Sequence, residues 1–369
     1  MNQRTYEYYT MNLQDKAILK LDNNPGGQAQ KNGLDKIVIF DAKDLEPTDF
    51  VCWRGNDGSI VNLKKTYDSD KETLTIQMQN PGIIPLKNMQ GIYFGTAAKD
   101  LNLCDLGSAK YNWQATPDVS KNTAEAVLTS PVEKARDLKV TLKLLASGIV
   151  SLKWTYNTQT NDVKVPFEVP LEIVAPKNDK LSETQTLADY LIVGDSSKGE
   201  PLLTVKSPKN SAVVYKLFGA MLDEYLNVIS GQVVINQKAD GILGLAERVS
   251  SNLFLSTGVY SLWTLDTANP EEHGTLPGAN LYGVHPFYMA RATDETWFGV
   301  YTNLAAAQDW YLKRHTDDKT LMDVQTIAVG GLADMYFMFG DAPNDVTKSY
   351  HQNIVGLPVL VPQWLYGWN

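Results

Sequence analysis

Cysteine is almost missing from this chain: 369 residues carry only Cys52 and Cys104. The two are free to pair, but two thiols in so long a chain do not make a disulfide framework. Histidine is nearly as scarce. His273, His285, His315 and His351 stand far apart, with no cysteine or acid at a ligand interval, so no metal is expected. No run of about 18 apolar residues occurs, which leaves no candidate for a helical membrane span. Positive charge is also short, 33 Lys and Arg against 42 Asp and Glu, for a net charge of −9. That balance argues against nucleic acid and anionic membrane surfaces, whose phosphates need a positive counterpart. No Asn-x-Ser/Thr acceptor is present, and Met1-Asn2-Gln3-Arg4 does not open the apolar run of a signal peptide.

What is there reads as strand after strand. Hydrophobic residues make up 43% and charged residues 20%, the proportions of a protein with an ordinary buried core. Lys36–Phe40, Thr73–Met78, Val140–Leu145 and Ile149–Tyr156 are short, rich in β-branched residues and bounded by Gly, Asn, Asp or Pro. The last two flank Ala146-Ser147-Gly148, which predicts a hairpin with glycine in its turn. Further strands are expected at Leu202–Val205, Ala212–Phe218, Tyr225–Ile229, Gln232–Asn236, Trp297–Tyr301 and Met335–Phe339. So many short strands with so little helix between them predict a β-sandwich rather than a parallel α/β sheet. One helix stands out. It begins near Asp341-Ala342-Pro343, carries Val346, Tyr350 and Ile354 at helical spacing, and stops at Gly356 and Pro358. Beyond it, Val359–Trp368 is apolar and aromatic. Such a run at a chain end is expected to pack against another segment or chain. The organisation expected is a strand-rich part over residues 1–200, a motif-bearing part over 201–355, and the start of a further element over 356–369.

The motifs lie between Gly241 and Asn369. Gly241-Ile242-Leu243-Gly244-Leu245-Ala246-Glu247-Arg248 comes first, followed by Gly258 to Asp266 and by Asn280-Leu281-Tyr282-Gly283-Val284-His285-Pro286-Phe287-Tyr288. Then come Phe298-Gly299-Val300-Tyr301, Gly330-Gly331-Leu332-Ala333-Asp334, Asp345 to Tyr350, Gly356-Leu357-Pro358, and Trp364-Leu365-Tyr366-Gly367-Trp368-Asn369. In this order the blocks resemble the N-terminal domain of family 31 glycoside hydrolases, α-glucosidase-type enzymes. Residues 1–200 contribute only a β-rich segment ahead of the block.

That resemblance implies a mutarotase-like β-sandwich followed by the first strand of a (β/α)₈ barrel, matched at Trp364–Gly367 and cut off there. It implies hydrolysis of terminal α-linked glucose with retention, without metal or organic cofactor, by two carboxylates on the barrel. Neither carboxylate is expected in this chain, so no catalytic residue is assigned. Partners implied are an α-glucoside or oligosaccharide and a catalytic barrel in the same or a companion chain. The compartment implied is lysosomal, secreted or endoplasmic reticulum. Asp266 matches the aspartate that the family's sandwich sends into the sugar site, where a carboxylate accepts hydrogen bonds from sugar hydroxyls. Leu265 departs from the pattern, since arginine is common just before that aspartate. Trp263, Phe287 and Tyr288 are candidates for stacking on a sugar ring, against the alternative of core packing. Gly244, Gly283, Gly330 and Gly331 are expected at turns or close approaches, and Glu247 and Arg248 as an ion pair bracing a turn. A free-standing carbohydrate-binding or structural sandwich is the alternative function.

Overall fold

The computed structural model describes the backbone of six strands between residues 18 and 95. It further describes, with single-residue gaps, residues 111–129, 137–157, 184–222, 227–238, 241–248, 253–262, 280–328, 334–357 and 359–365. Every strand pairing among the described residues is antiparallel.

The first sheet has six strands: β1 (Ile18–Asp22), β2 (Lys36–Phe40), β3 (Phe50–Gly55), β4 (Ile60–Asp68), β5 (Thr73–Met78) and β6 (Met89–Gly95). Their order is β1-β2-β5-β4-β3-β6. The next strands in the chain are β7 (Asn112–Trp113), β8 (Thr123–Thr129), β9 (Leu138–Leu144) and β10 (Val150–Tyr156). After them come β11 (Leu191–Val193), β12 (Leu203–Lys206), β13 (Val213–Leu222), β14 (Asn227–Val234), β15 (Ile242–Gly244) and β16 (Phe254–Leu255). The last six are β17 (Gly258–Leu262), β18 (Phe287–Arg291), β19 (Trp297–Asn303), β20 (Gln308–Arg314), β21 (Leu321–Ala328) and β22 (Asp334–Gly340). They form a nine-stranded sheet, β16-β15-β18-β19-β22-β10-β9-β8-β7, and a seven-stranded sheet, β11-β12-β13-β14-β21-β20-β17.

The two larger sheets share one hydrophobic core, and alternation in the sequence shows why. In β9, Leu138, Val140, Leu142 and Leu144 are buried while the residues between them are not. In β21, Met322 and Val324 face the same interior. Rings cross the gap: Tyr215 of β13 meets Phe337 of β22 at 5.3 Å, and Tyr288 of β18 meets Trp310 of β20 edge-on at 5.8 Å. This is a mostly β architecture with a sandwich at its centre. The core joins Tyr111 and Leu128 to Trp310 and Phe337, so β7–β10 and the later motif-bearing strands are packed as one body.

Local expectations hold where local pairing decides them. β2 and β5 fall on the expected residues, and β9 and β10 form the expected hairpin, with Gly148 at φ +74° in its turn. One expectation fails: residues 225–236 do not make two strands split at Ser230-Gly231. β14 runs unbroken from Asn227 to Val234, and Gly231 sits inside it because Tyr215 needs the space. A Cβ on Gly231 would stand 1.9 Å from the Tyr215 hydroxyl. Glycine here marks a close approach across the pair, not a turn.

The single α-helix among the described residues, α1 (Pro343–Tyr350), begins with proline at its first turn. The Asp345 carboxylate accepts from the Ala342 amide at 2.9 Å. The helix continues as a wider π turn over His351–Val355 and stops at Gly356, whose φ is +78°. Val346, Tyr350 and Ile354 are buried and pack on the outer face of the nine-stranded sheet against Ile149, Tyr336 and Met338. Past the stop, Leu357, Val359, Leu360, Val361, Trp364 and Leu365 are exposed, Val359 and Leu360 at 90%. Gln363–Leu365 closes a short 3-10 turn, and residues 366–369 lie outside the described residues.

Candidate functional site

Three of the sequence motifs meet at one edge of the sandwich. The first, Gly244–Arg248, leaves β15 through a turn in which Gly244, Leu245 and Ala246 all have positive φ, at +122°, +58° and +72°. Gly244 is required, because a Cβ there would come 2.4 Å from the Phe287 carbonyl oxygen. Leu245 and Ala246 enjoy no such freedom, and a non-glycine residue held in that region costs about 1–2 kcal/mol. The turn is kept in place by surrounding bonds: the Leu245 amide donates to the Phe287 carbonyl at 2.9 Å, and Leu245 is fully buried.

Glu247 and Arg248 brace this turn through separate partners. Glu247 Oε2 accepts from the Gly283 amide at 3.2 Å. Arg248 Nε donates to the Leu245 carbonyl at 2.7 Å, and its guanidinium lies over the Tyr260 ring, 5.3 Å from the centroid. Loss of solvent around Arg248 lowers its pKa to about 10, partly offset by Tyr260 and Asp309, so it stays charged at neutral pH. The Arg248 backbone also bridges to Asn280, whose side-chain amide donates to the Gly283 carbonyl at 3.1 Å. Tyr260 belongs to β17, which ends at Leu262 opposite Gln308 of β20. Residues 258–262 precede segment 263–279 in the sequence, and Asn280 follows it. Asp266 and Trp263 fall within that segment and lie outside the described residues. Gly330 and Gly331 lie outside them too.

Phe287 is described, and its ring is already engaged. It stacks on Tyr350 of α1 at 4.6 Å, and His285 approaches it edge-on at 6.0 Å. His285 also stands 5.3 Å from the Tyr350 ring and 6.4 Å from Tyr301. Tyr288 points the other way, into the sandwich core beside Trp310. The alternation of a strand places neighbours Phe287 and Tyr288 on opposite faces. Desolvation, and next the charge of His351, hold the His285 imidazole below the usual histidine value. Sequence reasoning did not anticipate His285 in an aromatic cluster. The signal was available, since the helical spacing of Val346, Tyr350 and Ile354 requires an apolar surface beneath it. Among the described residues no group of three or more His, Cys, Asp and Glu is arranged to hold a metal ion, and no helix is long and apolar enough to cross a membrane.

No family model matches the chain. Curated proteins do. Human intestinal sucrase-isomaltase is 24% identical over 278 residues, which is 73% of this chain and 14% of that protein. A probable alpha/beta-glucosidase of Arthroderma benhamiae is 33% identical over 128 residues, 34% of this chain and 14% of its own length. The chain thus spans about one seventh of these relatives, 14% in both cases. Among solved structures, the glucosidase II heterodimer of a catalytic subunit with the binding domain of a regulatory subunit superposes with a TM-score of 0.52. That match has 12% identity and covers 70% of this chain and 37% of the other; it speaks for the fold. The glucosidase II alpha subunit bound to Glc1Man2 gives the same TM-score of 0.52 at 13% identity. In sequence and in fold, this chain is similar to the glucosidases of glycoside hydrolase family 31.

Proposed function

We propose that this chain is the N-terminal β-sandwich portion of a retaining α-glucosidase that releases terminal α-linked glucose from oligosaccharides. In this reading the sandwich supplies a scaffold and one loop of the sugar site, and a (β/α)₈ barrel in the same or a companion chain supplies both catalytic carboxylates. The observation that carries it is the sequence similarity to intestinal sucrase-isomaltase over 73% of the chain and to a probable alpha/beta-glucosidase over 34% of it. The exposed apolar residues from Leu357 to Leu365 support a second body packed beside α1, since so much exposed apolar surface marks an interface. No cofactor enters the reaction: one carboxylate attacks the anomeric carbon, and the other protonates the leaving oxygen and then activates water.

Asp266 is the substrate contact in this proposal, accepting hydrogen bonds from sugar hydroxyls. Trp263 is the aromatic kept for stacking, because Tyr350 already covers a face of Phe287. The test is kinetics of Asp266→Ala and Asp266→Asn in the full-length enzyme on an aryl α-glucoside, with thermal melting alongside. Losing a charge-assisted hydrogen bond costs about 1.5–3 kcal/mol, roughly ten- to a hundredfold in kcat/KM. Asp266→Asn keeps an acceptor and is expected to lose less than Asp266→Ala. Wild-type kcat/KM in Asp266→Ala would refute the contact. Absence of any glycosidase activity in the full-length protein would favour a non-catalytic carbohydrate-binding sandwich.

A further inference from the structure

We propose that His285 and His351 form an acid-sensitive latch at the joint where α1 ends: neutral, they leave Tyr350 seated on the sheet, and charged together they loosen the π turn. The proposal is independent of the role given to Asp266. The geometry of one ring cluster carries it. His285 lies just ahead of β18 and His351 opens the π turn, yet both rings approach Tyr350, at 5.3 and 5.9 Å. Tyr350 is also what fastens the joint to the sheet. It is buried, stacks on Phe287 at 4.6 Å and meets Tyr301 edge-on at 5.3 Å. Two groups that can each gain a positive charge therefore share one neutral ring.

The acids on the elements around the cluster are engaged elsewhere. Asp334 of β22 faces Lys153 of β10, Asp345 of α1 takes the Ala342 amide, Asp341 holds Lys209, and Glu247 takes the Gly283 amide. Arg291 of β18 pairs with Glu295, and Lys348 of α1 adds only like charge. Desolvation pushes the Tyr301, Tyr336 and Tyr350 phenols up, so they supply no negative charge. One cation beside an aromatic ring is tolerated, but a second is opposed by the first. Burial and then His351 hold His285 below its ordinary value, so the latch is closed above 6.5 and opens as pH falls from there through the lowered value. The part able to give way is the π turn, where the Asn353 side chain patches the ladder by donating to the Ser349 carbonyl at 2.9 Å. Beyond its buried anchor Ile354, residues 355–357 are exposed. The competing explanation is two surface histidines that titrate independently of each other and of the turn.

The experiment follows hydrogen exchange in the full-length protein between about pH 7.5 and about pH 5. Backbone protection is corrected for intrinsic rate, and slow exchange at each imidazole Cε1 reports the titration of that ring. Protection of residues 351–357 is expected to fall about threefold over that window while β9 and β13 hold. In His351→Gln the His285 midpoint is expected to rise and most of the loss of protection to disappear. His285→Gln should abolish the loss as well. The double variant is expected to behave like either single one, since the latch needs both charges. Both side chains reach solvent, so glutamine leaves the fold intact. An unmoved His285 midpoint in His351→Gln overturns the latch. So does an undiminished loss in either single variant, or a loss shared equally by β9.

Discussion

The two faces of β22 are both buried, but by different means. Toward the sandwich, Met335 and Phe337 enter a core shared with a whole seven-stranded sheet. Toward the outside, Tyr336 and Met338 lie under α1 and the π turn after it, in a cluster of six buried residues. The inner face of β22 presents Met335 and Phe337, and Tyr215 packs on Phe337 there. The outer one is edged with polar rings, His285, Tyr301 and Tyr350. A sheet covering a sheet leaves little room for local adjustment, whereas an eight-residue helix on a sheet is a patch that opens by itself. The inner face is thus expected to govern global stability and the outer face the local docking of α1.

The largest effect that sharpens this contrast is on the inner face. Phe337→Ala should destabilise the protein by about 3–5 kcal/mol, because it removes buried contacts and leaves a cavity. A void of about 10 Å³ lined by Leu142, Leu152, Tyr215 and Phe337 is already present there and would enlarge. Equilibrium unfolding by denaturant measures it. A loss below about 1 kcal/mol would break the comparison, since the inner face would then be no more demanding than a surface.

On the outer face, Gly299→Ala should cost about 1–3 kcal/mol by overpacking. A methyl built at Gly299 stands 2.5 Å from Val346 Cγ1 and 3.0 Å from the Phe287 ring, so it wedges α1 off the sheet. Hydrogen exchange should rise in residues 343–355 well before it rises in β9 and β10. Uniform loosening would mean that α1 and the sandwich unfold together.

The smallest effect concerns pH. His285 has its folded pKa depressed by desolvation and by His351, so the fold favours the neutral ring. Its contribution is complete above the ordinary value of 6.5 and is lost as pH falls from there through the lowered folded value. Exchange protection of α1 should weaken on acidification across that window, and His285→Gln should flatten the dependence. The same slope in His285→Gln would assign the effect to other groups. Because the ring is partly open to solvent, only a modest slope is expected.

These contrasts show what was legible in the residues. The hairpin β9–β10, the strands β2 and β5 and the helix with Val346, Tyr350 and Ile354 on one face follow from local periodicity and turn chemistry. Gly244 at a turn was legible for the same reason. Short strands such as β7, β11, β15 and β16, two or three residues each, carry too few positions for any alternation to show. Continuous β14 was hidden because Gly231 has the same one-letter signature in a turn and under a ring. Of the site, the resemblance named Asp266, Trp263 and Phe287. It did not foretell that Phe287 lies under Tyr350, because that contact joins residues 63 positions apart in sequence.

The sequence by itself determined the β class, the place of the helix and the order of the motifs, because backbone sterics and polar–apolar alternation act over a few residues. Only the tertiary structure decided that both faces of β22 are buried, that Leu245 and Ala246 hold positive φ, and that Arg248, Tyr260 and Asn280 meet. Each of those outcomes depends on which distant strand arrives opposite. The free energy that fixes them comes from desolvation and close packing, summed over contacts that no local window contains.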